Sequence, residues 1–267
     1  MTDTIITETL APGLARIRIQ RPQQRNALRV ADARALHRAL DHVLADPSLR
    51  VLILTGEGPA FCAGLDLKSL LDEQGRYAPD PAEAMALQLC FAGLIARLRE
   101  SGTIVVAAIH GPAVGAGMGL ALAADIRLAT PEASFHIGAV KLGLTAGECG
   151  ISYHLPRLIG AGRAADIMLT GRPVSAQEAL DIGLVSALCP QEALHEAATA
   201  RAADILALPP YASAHSKRVF WQNLEAGSLQ AGLELENHAQ VLGLMTADFQ
   251  EAAQAFAQKR APVFSTS

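Results

Sequence analysis

The sequence predicts an α/β protein in which strands and helices alternate before giving way to helices alone. Three observations predict it. Two continuous apolar runs, VLILT at 51–55 and TIVVAAI at 103–109, suit strands buried on both faces. Each is followed by a glycine-bearing loop and then by helical periodicity. Beyond Ser175 the pattern is helical throughout.

Taken in order, IITETL and LARIRIQ flank Pro12-Gly13 and read as a hairpin, the second run alternating apolar and polar side chains. Leu36, Leu40, Val43 and Leu44 mark a helix over roughly 30–44, which Asp46-Pro47 breaks. After VLILT, GEGPAFCAG is a loop leading into LDLKSLL, a short helix. The polar segment 72–81 is expected to be the least ordered stretch. A helix near 82–100 precedes TIVVAAI. The glycine-rich HGPAVGAGMGLALA follows, then ADIRLAT as a third strand and ASFHI as a strand-like run. GLTAGECG is a loop, and 151–170 reads as helix with Pro156 near a turn. SAQEALDIG, PQEALHEAATARAADIL, PYASAHSKRVFWQNL, LQAGLELENHAQVLGL and TADFQEAAQAFAQKR are the later helices.

Composition excludes several functions. A chain of 267 residues, 51% hydrophobic and 18% charged, can bury one large core. A net charge of −4 argues against nucleic acid as partner. Cys62, Cys90, Cys149 and Cys189 are far apart with no C-x-x-C pair, which favours reduced thiols in a cytoplasmic protein over zinc or disulfides. The N-terminal segment lacks the pattern of a signal peptide, and no apolar run approaches the length of a membrane span. Gly115 and Gly117 open a G-x-G, but Leu120 stands where a dinucleotide fingerprint needs its third glycine. Phosphate-loop, H-E-x-x-H and G-x-S-x-G motifs are missing. No separate cofactor or metal is therefore expected.

The strand–glycine–loop pattern is the most informative feature. FCAGLD follows VLILT and AVGAGMG follows TIVVAAI, each at the C-terminal end of a buried strand, where α/β sheets bind ligands. Two such loops can aim backbone N–H donors at one oxygen, and small residues let a ligand approach. The competing reading is a helix tightly packed between sheets, with no ligand involved.

RNAL at 25–28, GPAFCAGLDL at 58–67, HGPAVGAGMGLALAADIRLA at 110–129 and KRAPVF at 259–264 together resemble the enoyl-CoA hydratase/isomerase, or crotonase, family. The similarity runs over essentially the whole chain in order and spacing. It implies a spiral of ββα repeats over 1–200 and a C-terminal helical region, 201–267, that builds a homotrimer or a dimer of trimers. It implies an acyl-CoA thioester as ligand, with coenzyme A part of the substrate. It also implies an oxyanion hole made by the amides of Leu65 and Ala116, which stabilises the charge of a forming enolate. Coenzyme A is then expected against Arg25, Ala27, Ala63, Gly64, Asp66, Lys68 and Gly115. Lys259 is expected to reach the phosphates from a neighbouring element or subunit.

The same resemblance exposes a departure. Hydratases of the family carry two glutamates, and the matching positions here are Gly119 and Ala139, neither of which can move a proton. Glu148, in GLTAGECGISYHLPR, matches an extra acidic residue of the dienoyl-CoA isomerase branch and is expected to face the acyl chain several atoms beyond the thioester. One carboxylate in an apolar pocket, its pKa raised, can both take and return a proton, which favours double-bond migration over hydration. An unusual hydratase, a hydrolase of a thioester or C–C bond, and a non-catalytic acyl-CoA-binding protein are the alternatives. His136, Tyr153 and His154 are secondary candidates: a satisfied structural histidine explains His136 better, and helix packing explains Tyr153 and His154 equally well. Cys149 lacks the setting of a nucleophile, and Cys62 matches a packing position. Small residues at 119 and 139 imply a pocket tolerant of bulky or cyclic acyl groups.

Overall fold

The computed structural model describes residues 3–264. The chain begins with the expected hairpin, β1 (Ile5–Ala11) and β2 (Leu14–Ile19), antiparallel across Pro12-Gly13. It continues through α1 (Val30–Leu44), β3 (Val51–Gly56), α2 (Pro81–Glu100), β4 (Ile104–Ile109), β5 (Pro112–Val114), α3 (Ala116–Ala123), β6 (Ile126–Ala129) and β7 (Ser134–His136). Then come α4 (Ile151–Ile159), α5 (Ala161–Thr170), β8 (Val174–Ser175), α6 (Ala176–Asp181), β9 (Ala187–Leu188) and α7 (Leu194–Leu206). Three helices close the chain: α8 (Pro210–Asn223), α9 (Leu229–Leu244) and α10 (Ala247–Gln258).

The strands form a six-stranded sheet, β1-β2-β3-β4-β6-β9, and a three-stranded sheet, β5-β7-β8. From β2 onward every pairing in the large sheet is parallel. Each turn of chain lays one strand in the large sheet and one in the small sheet before entering a helix: β4–β5–α3, then β6–β7–α4. Cys62 supplies the small-sheet member of the turn that starts with β3, pairing with Ala113. This is the expected spiral of ββα units.

All six residues of β3 are buried, as the VLILT run predicts. Its side chains alternate between two cores, because successive residues of a strand face opposite ways. Leu52 and Leu54 join Leu36, Leu40, Leu94 and Leu98 beneath α1 and α2. Val51 and Ile53 join Leu194, Ala198, Ala202 and Ile205 of α7 on the other side. Helix α7, which contains residue 200, packs on the sheet along its length.

Three local expectations gain detail in the structure. The helix expected over 151–170 is two helices, and the break is at Gly160, whereas Pro156 lies within α4. The short helix expected after FCAG is present, as a 3-10 helix over Leu67–Leu70. The glycine-rich segment opens with a strand, β5, before α3 begins. Among the described residues α2 is long and apolar enough, by length and composition alone, to cross a membrane. It packs instead against α1 and α3, burying Phe91, Leu94, Ile95 and Leu98.

Candidate active site

Two backbone segments converge where the large and small sheets meet. The Cys62 amide donates to the Pro112 carbonyl at 3.2 Å, and the Val114 amide donates to the Cys62 carbonyl at 2.9 Å. On the other flank, Leu28 donates to the Gly64 carbonyl at 2.7 Å and Asp66 donates to the Leu28 carbonyl at 2.9 Å. Leu65 is the centre of that bridge, so its own N–H points away from Leu28. Gly64 makes the arrangement possible. Its φ is +80°, and a Cβ there would stand 2.5 Å from the Val114 carbonyl oxygen and 3.3 Å from the Ala116 nitrogen.

Ala116 is the first residue of α3, whose leading amides have no carbonyl within the helix to bond. Among the described residues, neither the Leu65 nor the Ala116 amide donates to a protein group. The two free donors sit on adjacent segments, one of them at the positive end of a helix dipole. Such a pair suits a carbonyl oxygen that gains negative charge.

Asn26 braces the Leu65 segment. It is fully buried and left-handed at φ 58, a conformation asparagine tolerates better than most residues. Its side-chain amide donates to the carbonyls of Glu57 (2.9 Å) and Ala60 (2.7 Å) and accepts from the Arg21 amide at 2.8 Å. The Cys62 thiol donates to the Asn26 carbonyl at 3.2 Å and accepts the Gly64 amide at 3.4 Å. Burial pushes that thiol's pKa up to about 12, so it supports the loop and is no nucleophile. Asn26 escaped the residue-level reading although it stands within RNAL; its role is set by carbonyls more than 30 residues away, as with Ala60 at a separation of 34.

Glu148 lies beside these donors. A Cβ on Gly115 would stand 3.2 Å from its Oε1, so the carboxylate rests against the residue that precedes the Ala116 amide. Oε1 is buried without a hydrogen-bond partner. Burial raises the Glu148 pKa, opposed by a hydrogen bond from the Ala139 amide. No second carboxylate contributes to that shift.

Gly119 explains itself through the same segment. A Cβ there would stand 2.5 Å from the Cys149 carbonyl oxygen and 2.8 Å from the Cys149 Cβ. The residue after Glu148 thus occupies the space a side chain at 119 would need. Ala139 is buried at the start of a 3-10 turn, and its contribution is the amide that reaches Glu148.

The secondary candidates have structural partners. The His136 ring contacts the Ser134 hydroxyl at 2.9 Å, and its carbonyl accepts the Gly115 amide at 2.9 Å. His154 is buried and engages the Gly150 carbonyl, while the Tyr153 hydroxyl donates to Glu225. Burial and neighbouring Glu148 raise the Cys149 pKa to about 12.

The expected coenzyme A residues divide into two groups. Arg25, Ala27, Ala63, Gly64 and Asp66 share one backbone patch: the Ala63 amide donates to the Arg25 carbonyl at 3.0 Å, and Arg21 holds both the Ala27 carbonyl and, at 3.1 Å, the Asp66 carboxylate. Arg25 and Lys68 are exposed, Lys68 within the 3-10 turn. Lys259 stands apart as the exposed, left-handed cap of α10, and no described contact joins it to the patch.

The family pattern described as enoyl-CoA hydratase/isomerase matches residues 9–267. A protein of Mycobacterium tuberculosis named a probable enoyl-CoA hydratase is 41% identical over 263 residues, covering 98% of this chain and 92% of that protein. The 1,2-epoxyphenylacetyl-CoA isomerase of Escherichia coli is 33% identical, with 95% of each chain covered. The crystal structure of an enoyl-CoA hydratase from Bacillus anthracis superposes with a TM-score of 0.90 at 33% identity, covering 99% of this chain and 100% of that one.

Proposed function

This chain belongs to the enoyl-CoA hydratase/isomerase family, and from that premise we propose that it shifts a double bond within an acyl-CoA thioester. The thioester carbonyl binds the Leu65 and Ala116 amides, which stabilise the enolate. Glu148 takes a proton from a carbon next to that carbonyl, exchanges it with solvent, and delivers a proton farther along the chain. Losing one such amide donor typically costs about 3–4 kcal/mol of barrier, and a positioned acid–base group contributes roughly 10²- to 10⁴-fold in rate.

The observation that carries this reading is the single buried carboxylate against Gly115, with the Cys149 backbone filling the space beside Gly119. Adding water by the two-glutamate route needs a second acid, and neither position 119 nor position 139 supplies one. A protonatable carboxyl, held by one amide and otherwise unpartnered, suits a group that alternately takes and gives a proton. The chain's relatives include both a probable enoyl-CoA hydratase and a 1,2-epoxyphenylacetyl-CoA isomerase, and the single acid of this chain is what favours isomerisation here.

Coenzyme A lies along the 25–28 and 63–66 patch in this proposal, and the C-terminal helices assemble trimers. Leu242, Leu244 and Met245 at the end of α9 and Phe256 of α10 are exposed, as a surface that meets another copy would be. The test is incubation with a panel of CoA thioesters in heavy water, followed by mass spectrometry. Isomerisation exchanges carbon-bound hydrogen, hydration adds the mass of water, and hydrolysis releases free coenzyme A. Turnover that Glu148→Gln abolishes while ligand binding persists supports the proposal. Turnover with net addition of water, or none from any thioester, overturns it.

A further inference from the structure

The turn that carries Glu148 has an unusual backbone. Cys149 at φ 44 and Gly150 at φ 70 are consecutive left-handed residues. A side-chain-bearing residue adopts that region only where its surroundings hold it there. On one side the Cys149 carbonyl and Cβ pack on the bare Gly119. On the other, the Gly150 carbonyl accepts two bonds from His154, one from its backbone amide at 2.9 Å and one from ring Nδ1 at 2.9 Å.

His154 itself is locked. It is 4% exposed and lies edge-on to Tyr153 at 5.1 Å and to Trp221 at 6.3 Å between ring centroids. The Trp221 indole N–H donates to Asp125 at 2.8 Å, and the Arg99 guanidinium lies over its face, 3.1 Å from the centroid. The α8 helix therefore clamps the imidazole from outside. A Cβ on Gly150 would stand 3.0 Å from Nδ1 and 3.1 Å from Ile95 Cγ2, so no slack remains around the bond. A carbonyl acceptor requires Nδ1 to carry the proton. Burial first, then the charges of Arg99, Arg127 and Arg157, hold the His154 pKa down at about 4, against the Gly150 bond. The ring stays neutral near pH 7 and acts as a fixed donor.

We propose that His154 is a positioning residue: through the Gly150 carbonyl it fixes the left-handed Cys149–Gly150 pair and so aims the Glu148 carboxylate at the oxyanion hole. The proposal rests on the reading of Glu148 as the acid–base group. It also gives the C-terminal helices a second task, since Trp221 of α8 holds the ring in place.

The experiment follows α-hydrogen exchange of phenylacetyl-CoA and 3-hexenoyl-CoA in heavy water, chosen because exchange needs only the oxyanion hole and one base. The proteins are the wild type, His154→Phe, which keeps the ring and removes the donor, His154→Asn, which restores an N–H at similar reach, and Glu148→Gln. The expected result for His154→Phe is a saturating exchange rate lower by roughly 10- to 100-fold, with half-saturation nearly unchanged and a displaced pH midpoint. His154→Asn is expected to recover most of the rate. A folded His154→Phe with wild-type rate and pH midpoint overturns the proposal, as does equal loss in both His154 variants. Nitrogen NMR of the wild type needs no variant: the Nδ1–H tautomer is expected, and the Nε2–H tautomer overturns the proposal. Full exchange by Glu148→Gln refutes the underlying reading instead, because it removes the base and leaves His154 intact.

Discussion

Glu148 shows how much of the site can be read from single residues. The resemblance to the family marks Gly119 and Ala139 as missing acids and Glu148 as the remaining one. It does not reveal why 119 must be glycine, because the answer is the Cys149 carbonyl contributed by a residue 30 positions later in the chain. Gly119→Glu is thus expected to unfold or displace the acid-bearing turn without creating a hydratase, which circular dichroism and a water-addition assay check. The acid's environment sets two pH effects. Burial lifts the Glu148 pKa above the ordinary 4.5, and in the proposed reaction the group must start ionised to take a proton. Turnover is expected to fall as pH drops through a midpoint above 4.5, and a rate profile measures it. Stability has the opposite sign. A carboxyl with a raised pKa in the folded state favours folding when protonated, and that contribution is lost as pH rises through the folded pKa. Glu148→Gln is expected to match or exceed wild-type stability at pH 7, with any advantage shrinking as pH falls into the ordinary carboxylate range. Urea unfolding at several pH values reads this directly.

At the scale of elements, the apolar runs VLILT and TIVVAAI identified β3 and β4 because fully buried strands need no alternation. The three-residue strand β5 was invisible because its partners are Cys62 and β7, remote in sequence, and its own residues carry no periodic signal. The break at Gly160 was masked by helical composition on both sides. The small residues of the glycine-rich helix serve close packing, as Gly117 and Gly119 against the Cys62 and Cys149 backbone show. Helix α3 is entirely buried between its neighbours, and its first amide has no carbonyl partner within the helix. Gly119→Ala tests the packing. Its Cβ would meet backbone at 2.5 Å, so the substitution forces the two segments apart. The expected destabilisation is about 1–3 kcal/mol, the usual range for overpacking, together with loss of turnover. Thermal melting and the exchange assay separate the two effects.

At the scale of the whole molecule, the C-terminal helices are fastened to the core by a buried charge cluster that no sequence pattern signals. Lys217 of α8 donates to the carbonyls of Leu98 (3.0 Å) and Thr103 (2.7 Å) and pairs with Asp125 at 2.9 Å. Asp125 also accepts the Trp221 indole and the Val105 amide. Desolvation lowers the Lys217 pKa, with Asp125 opposing it, so the pair survives on its geometry. Asp125→Ala leaves the ammonium buried without its counter-charge and is expected to cost about 3–5 kcal/mol. Urea unfolding followed by the fluorescence of Trp221, the chain's single tryptophan, measures it. The helical nature of this region was legible from its periodicity. Its attachment was not, because Asp125 and Lys217 are 92 residues apart (217 − 125) and neither stands in a motif.

The proposed reaction needs two free amides converging on one thioester oxygen beside a single carboxylate. A crystal structure of the protein with a non-hydrolysable acyl-CoA analogue tests that directly. The predicted result is a ligand carbonyl about 3 Å from both the Leu65 and Ala116 nitrogens, with Glu148 against the neighbouring carbon. An analogue bound with its carbonyl elsewhere, or with either amide turned into the protein, would contradict it.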